Sequence, residues 1–533
     1  MQRDIRSFSL LAPDGAKPCV HLHDTVVNDL SLAYLCSRLA GHTTEEGILL
    51  SFLRELPTDP AVIAYRQAVY RDLREDPAFC EKLMEIFDAM QFGSIDDTHG
   101  NFGNTGIWQL IDRLRTLEQY STAITSIRSL LEGKKFRSEA MQKFTQYIGE
   151  IYESSGFSAL SEDLRILGDD VMSIKSMTLG INFDHNFAPE EAGILSLNPY
   201  TFGEKGFLEK FIQFHRKRNP DDRDLKQFTM LTHAKPEQAS ENLLMNNLNH
   251  LIEEMLPALT GKLRRVLKRY SDMSGILLAR IGDELLFYTR MIGLEQRLTD
   301  AGFPCTMPDC TARDTHFREF YNVKLALCRL DGTVQNEIVC NDVDFTQAQT
   351  ILLLTGPNQG GKTVFTQGIG LVFLLAQHGL FVPCRSAELR ICDGIFTHFP
   401  ADENRTISYG RLGEEAMRFR EICQTATQDS LLLFNESFAT TTHTESLCIA
   451  RNALQYLCVL GARTCFNTHM HELATEPDAL QTEQAVCGAV SIVMGKRGTP
   501  DAYKVRVAPP DGISDAQAIA EQYGITFEQL CRR

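Results

Sequence analysis

At 533 residues, with 43% hydrophobic and 23% charged side chains, the chain is long enough for several cores and rich enough in apolar groups to fill them, which excludes a disordered or fibrous protein. A formal charge of −16 gives no overall attraction for a phosphate backbone, so any nucleic-acid contact has to be local. The 15 cysteines are scattered without a CxxC pair, and no uninterrupted apolar run of about 20 residues occurs, so the expectation is a cytoplasmic protein with reduced thiols and no membrane contact.

From about Asp24 to Asp300, apolar residues recur three and four apart with few β-branched clusters, which predicts helices. Gly180 to Phe202 alternates and is rich in Asn and Pro, which predicts extended chain between two helical blocks. Leu244, Leu248, Leu251, Met255, Leu259, Leu263 and Leu267 then form one stripe of a helical wheel, interrupted by Pro257. A single helix over Glu241–Arg297 would be a lever of about 85 Å. Two or three shorter antiparallel helices, broken at Gly275 and Gly282, fit the pattern equally well. Two basic clusters, His215–Asn219 (HRKRN) and Lys262–Arg269 (KLRRVLKR), lie beside apolar helix positions. Each reads as a phosphate grip or, more commonly, as a solvated face balanced by neighbouring acids.

After Pro304 the character changes. Asn322–Leu330, Glu337–Phe345 and Ile351–Leu354 are short strand-like runs, and Leu431–Phe434 and Thr464–Asn467 alternate with helix-like segments, which predicts an α/β sheet. Val486–Met494 and Tyr503–Val507 flank GKRGTPDA as an expected hairpin at the sheet edge. The fold class expected is therefore α + α/β.

Within this second part, Gly356, Gly361, Lys362 and Thr363 fit G-x-x-x-x-G-K-[ST] between an apolar strand and a helix-like run, Val364–Gln377. Such glycines let backbone N–H groups wrap phosphates, the helix turns its positive end toward them, the lysine reaches the outer phosphates, and the threonine hydroxyl can ligate Mg²⁺. A glycine turn that binds nothing is the plain alternative. Farther on, LLLFNE (Leu431–Glu436) is an apolar strand ending where a carboxylate pair belongs beside such a loop. Glu436 is placed to polarise an attacking water as general base. Asn435 stands where an Asp is expected, and its uncharged amide predicts weaker Mg²⁺ binding or slower turnover. Arg463–Asn467 leaves His469 just past a strand end, on the side where ligands collect in parallel sheets, as a candidate γ-phosphate sensor. His471 could share that role. The HxH spacing also admits a metal reading, without a Cys/His cluster to support it.

These residues resemble the ATPase domain of the MutS family, the DNA mismatch-repair proteins and their relatives among the ABC-type ATPases. TGPNQGGKT is similar to the family's TGPN-x-GGK-[ST] loop, and FVPCRSAELRICDGIFTHF, FNESFATTTHTES and FNTHMHEL follow in the family's order, so the resemblance covers about Asn322 to Gly524. DTVVNDLSL (Asp24–Leu32) and ELPTDPAVIAYRQAVYRDL (Glu55–Leu73) resemble the start of its core and lever region. The resemblance implies a helical core and lever region over residues 1–305, with a clamp segment at about 200–240. An ABC-type P-loop ATPase domain follows over 306–533, ending in a dimerisation segment.

It implies ATP and Mg²⁺, with Gly356, Pro357, Asn358, Gly360, Gly361, Lys362, Thr363 and Val364 around the phosphates and Ile338 and Val339 on the adenine. Thr363, Asn435 and Glu436 would stand at the metal, with Glu436 and His469 in catalysis. SYGRLGEEAM only approximates the signature loop that reaches the partner's nucleotide, with Ser408 or Gly410 as candidates. The implied function is an ATP-dependent DNA-binding protein of repair or recombination, a homodimer or heterodimer whose closure moves a clamp. Neither the mismatch-reading domain with its Phe-x-Glu wedge nor an appended nuclease-like domain is expected. The other class left open is a nucleotide-switched scaffold that binds a protein partner with weak or no ATPase activity. A generic ABC or SMC-like ATPase would need a well-formed signature loop and paired heptads, and neither stands out.

Overall fold

The computed structural model describes residues 8–90, 107–172, 176–183, 185, 189–198, 257–270, 276–357, 361–400, 411–438, 442–496, 498–510 and 526–531. Contacts group the chain into two compact units: Met1–Cys80, Phe136–Gln142 and Asp283–Arg533 form one, and Glu81–Lys135 with Lys143–Gly282 the other.

The first unit opens with β1 (Val20–His21), α1 (Asp24–Asp29), α2 (Leu32–Leu39), α3 (Thr43–Leu53), β2 (Glu55–Leu56) and α4 (Pro60–Arg74). α4 starts where Asp59 accepts from the Ala61 N–H at 2.9 Å and Pro60 takes the first helical position, the one place where a missing N–H costs nothing. α5 (Pro77–Ala89) leads into the second unit with α6 (Ile107–Leu131), α7 (Glu139–Glu153), α8 (Ser155–Met172), the antiparallel hairpin β3 (Ser176–Phe183) and β4 (Pro189–Asn198), and α9 (Pro257–Arg269). α6, α8 and α9 pack on one another, α9 burying Leu263 and Leu267 of the predicted stripe. The hairpin overlaps the predicted extended stretch Gly180 to Phe202 but begins earlier, at Ser176. α10 (Ile276–Asp300) returns the chain to the first unit. Residues 241–256 and 271–275, the proposed clamp segment at 200–240 and the cluster His215–Asn219 lie outside the described residues.

The remaining elements are β5 (Thr315–Phe320), α11 (Val323–Leu330), β6 (Asn341–Phe345), β7 (Gln349–Thr355), α12 (Lys362–Gln377), β8 (Ser386–Glu388), β9 (Ile395–His398), α13 (Arg411–Thr425), β10 (Leu431–Asn435), α14 (His443–Leu460), β11 (Arg463–Asn467), α15 (His471–Thr475), β12 (Gly488–Met494), β13 (Val505–Val507) and α16 (Phe527–Cys531). Six strands form one sheet in the order β13-β12-β7-β11-β10-β9, parallel except for the antiparallel edge strand β13, which closes the expected hairpin. Every residue of β10 and β11 is buried, as continuous apolar runs in central parallel strands should be.

Asn322–Leu330 corrects the strand reading: it is helix α11. Asn322 caps it, its side-chain oxygen accepting from Lys324 N at 2.9 Å and Leu325 N at 3.2 Å, and Val323, Ala326 and Leu327 share a buried face with helical spacing. In the run Glu337–Phe345 only Asn341–Phe345 is strand.

Contacts join the residues before 81 to the sheet-bearing unit, and α12 is the reason. This helix is apolar nearly all round and so has to be covered on every side. A Cβ at Gly370 would lie 2.6 Å from Leu30 Cδ2 and 2.7 Å from Leu433 Cδ1, so the glycine lets the helix fit between the N-terminal segment and β10. Polar bonds seal the same contact: Gln367 Nε2 donates to Asp29 O at 2.6 Å and Gln377 Nε2 to Pro57 O at 2.8 Å. No helix among the described residues is long and apolar enough to cross a membrane.

Candidate functional site

The register pairs Leu354 with Asn467 and Asn467 with Asn435, so β7, β11 and β10 end side by side, and the segments leaving them face one crevice. From β7 the chain passes Gly356 and Pro357 and enters α12 at Gly361. Gly356 adopts φ 144°, and a Cβ there would lie 2.8 Å from Met494 Cβ and 2.9 Å from Met494 O, so only glycine fits. Asn358 and Gly360 lie outside the described residues.

Lys362 is 4% exposed at the head of α12. Its Nζ donates to the carbonyls of Gly356 and Pro357, each at 3.0 Å, and has no ion-pair partner among the described residues. Burial lowers its pKa, against the pull of the Glu436 charge. A buried ammonium held only by carbonyls at a helix N-terminus is a cation short of an anion. The buried Thr355 Oγ1 and Asn467 Oδ1, at the ends of β7 and β11, likewise have no partner among the described residues. These groups fit a polyphosphate.

Across the crevice, Asn435 Oδ1 accepts from the Thr363 hydroxyl at 3.1 Å and from Asn467 Nδ2. The pair presents a hydroxyl and an amide oxygen, donors that suit a hard divalent cation but add no negative charge. Glu436 supplies the nearby carboxylate. Its Oε1 lies 2.6 Å from His469 Nε2, and this hydrogen bond, together with the charges of His469 and Lys362, holds its pKa below the usual value against the opposing effect of burial. An ionised carboxylate beside a buried ammonium can orient and polarise a water between them. His471 instead begins α15.

Beside Gly361 opens an apolar cavity of about 240 Å³, lined by Phe320, Ile338, Val339, Val364, Met494 and Tyr503 among others. It fits a flat heterocycle. Asn341 builds one wall: its Nδ2 donates to Val339 O at 3.3 Å and to Tyr503 O at 3.1 Å, while its Oδ1 accepts from Val505 N at 2.7 Å. Of the residues expected at the site, Ile338, Val339 and Val364 line this cavity, whereas Asn467 beside Asn435 and Met494 and Tyr503 in the cavity wall were not among those expected. Asn467 ends a strand already recognised, whereas the hairpin residues reach the cavity only through sheet order. Ser408 and Gly410 lie outside the described residues.

His398, the last residue of β9, packs behind the Glu436 turn. Burial, assisted by the Arg418 charge, lowers its pKa from 6.5 to about 4. The unfolded chain therefore takes up this proton first, so the stability that neutral His398 secures is complete above pH 6.5 and falls as pH drops toward 4, by about 1.4 kcal/mol per pH unit. Between pH 7 and 5, urea midpoints should show the wild type losing about 2 kcal/mol more than His398→Gln. Equal losses would refute the burial argument.

In the second unit, Leu263 and Leu267 face inward while Lys262, Arg265, Lys268 and Arg269 are exposed, and Arg269 pairs with Asp163 at 2.6 Å. The cluster is thus partly balanced by an acid.

Residues 352–522 match the family described as MutS domain V, and residues 58–301 the family described as MutS2 N-terminal domain. The chain is 36% identical over 208 residues to the DNA mismatch repair protein MutS of Chlorobium chlorochromatii, which covers 36% of this chain and 24% of that protein. It is 36% identical over 141 residues to that of Brevibacillus brevis and 39% identical over 137 residues to that of Chlorobium limicola, covering 26% of this chain and 16% of the relative in both cases. The chain therefore spans a quarter or less of the length of these relatives.

Proposed function

The chain belongs to the MutS family, and from that premise we propose that it is an ATP-dependent DNA-binding protein whose ATP binding and hydrolysis drive dimer closure and clamp movement in DNA repair or recombination. The observation that carries the proposal is Lys362, a buried ammonium whose partners among the described residues are carbonyls, at the head of a helix and opposite an ionised Glu436. In this reading residues 306–533 form the P-loop ATPase domain with its dimerisation segment, and residues 1–305 the core and lever region. The protein acts in the cytoplasm as a homodimer or heterodimer.

The backbone of residues 356–363 and the Lys362 ammonium hold the phosphates, and Ile338, Val339 and Tyr503 enclose the adenine. Thr363, Asn435 and Glu436 would hold Mg²⁺, which neutralises phosphate charge when bound. Glu436 orients and polarises the attacking water, and His469 fixes the Glu436 carboxylate and registers the terminal phosphate. Ser408 or Gly410 of the partner subunit completes the pocket.

Calorimetry with ATP and Mg²⁺ tests the premise: no heat of association would end it. A gel-shift panel of duplex, mismatched and junction DNA, with and without ATP, tests the clamp. Salt-sensitive, ATP-dependent retention supports it, and ATP-dependent dimerisation without DNA affinity favours the scaffold reading instead. The neutral Asn435 amide is the specific observation behind that second reading, since it weakens the metal shell. Asn435→Asp is expected to raise turnover at low Mg²⁺. An unchanged rate there would show that the missing charge is immaterial.

A further inference from the structure

The turn that carries Glu436 does not hold itself. Glu436 (φ 53°) and Phe438 (φ 65°) both lie in the left-handed region that residues with a Cβ avoid, with only Ser437 between them. Such a turn persists when its surroundings over-determine it, and three side chains from other elements do so here.

His398 sits between the rings of Phe434 and Phe438, with centroids 6.0 and 5.9 Å away. Its Nε2 lies 3.1 Å from Glu415 O and its Nδ1 2.7 Å from Ser437 Oγ. A carbonyl only accepts, so Nε2 carries the ring proton and Nδ1 accepts from the Ser437 hydroxyl. Glu415, in α13, accepts from Phe438 N at 2.6 Å through Oε2. From the far side, Ser446 in α14 donates to Phe438 O at 2.6 Å, and Glu436 N donates to Asn467 O at 2.9 Å. The clamp thus grips the two residues after Glu436 while the carboxylate itself stays free to meet His469.

We propose that His398 and Glu415 are positioning residues for hydrolysis, holding the Glu436–Phe438 turn so that the Glu436 carboxylate keeps its place beside Lys362 and His469. The inference rests on the ATPase reading above. It predicts a split between chemistry and binding, because neither side chain belongs to the groups that hold the nucleotide, whereas a small displacement of a catalytic group is costly in rate.

The test uses the full chain, with steady-state ATP hydrolysis and the equilibrium Kd of a fluorescent ATP analogue measured in parallel. His398→Ala and Glu415→Ala should each lower kcat about tenfold or more and leave Kd within about twofold. Glu415→Gln, which keeps an acceptor for Phe438 N, should restore most of the rate. Ser437→Ala, the smallest change, should reproduce the loss in a chain that folds. Adding it to His398→Ala should cost less than the sum of the two single losses, since both remove the hydrogen bond between Ser437 Oγ and the His398 ring. Unchanged kcat in His398→Ala, additive losses in the double variant, or a Kd that weakens in step with kcat would each overturn the inference while leaving the ATPase reading standing. A wild type that binds no nucleotide overturns both.

Discussion

Lys362→Ala is expected to abolish nucleotide binding. Lys362 is 4% exposed and its ammonium is held by two carbonyls rather than a carboxylate, so the free protein bears the desolvation of a charge that only an anion offsets. Removing one member of a buried charge pair typically costs about 2–5 kcal/mol of binding, which is roughly thirtyfold to several thousandfold in Kd. The same argument fixes the sign for the free protein: losing a buried charge that has no ion-pair partner within bonding distance among the described residues should leave its thermal midpoint unchanged or raised. Titration calorimetry and thermal melts, with and without ATP and Mg²⁺, check both halves. A variant that still binds ATP with wild-type affinity would remove Lys362 from the site.

Glu436→Ala is expected to separate binding from turnover. General-base assistance contributes about 10²–10⁴-fold, so hydrolysis should fall by that range. Affinity for ATP should hold, because the loop backbone and Lys362 grip the phosphates, and the lost metal contact is offset by removal of a negative charge from beside them. ATP-bound protein should then accumulate as the closed dimer, read by light scattering or size-exclusion chromatography with ATP present. Turnover at the wild-type rate would show that another group activates the water. Two features support the assignment of Glu436: its pKa is held below the usual value by His469 and Lys362, so it is ionised at neutral pH, and its turn is clamped from outside by His398 and Glu415.

Asn435 separates the two functional classes more finely than either variant. Its amide oxygen takes the Thr363 hydroxyl and the Asn467 amide, so this position keeps an acceptor but has no charge to contribute. A chain that binds nucleotide through Lys362 and turns it over slowly because of Asn435 would serve as a switch whose bound state outlasts encounters with DNA or a protein partner.

The sequence by itself determined the local chemistry. TGPNQGGKT after an apolar run, LLLFNE and RTCFNTH announce strand ends bearing a lysine, a carboxylate and a histidine, because a buried parallel strand needs an uninterrupted apolar run and its polar successor has to emerge at the carboxyl edge. Tertiary structure decided what short-range pattern cannot carry. Asn322–Leu330 is helix because the Asn322 side chain caps it and one face is buried, although its apolar content also suits a strand. Residues before 81 join the sheet-bearing unit because α12 is apolar on all sides and needs a cover that chain order does not supply. Tyr503 and Met494 reach the cavity, and Asn467 reaches Asn435, only because the strands assemble as β13-β12-β7-β11-β10-β9. Periodicity reports which way a side chain faces on its own element, whereas strand order sets which elements it meets, and that order follows from the burial of whole surfaces.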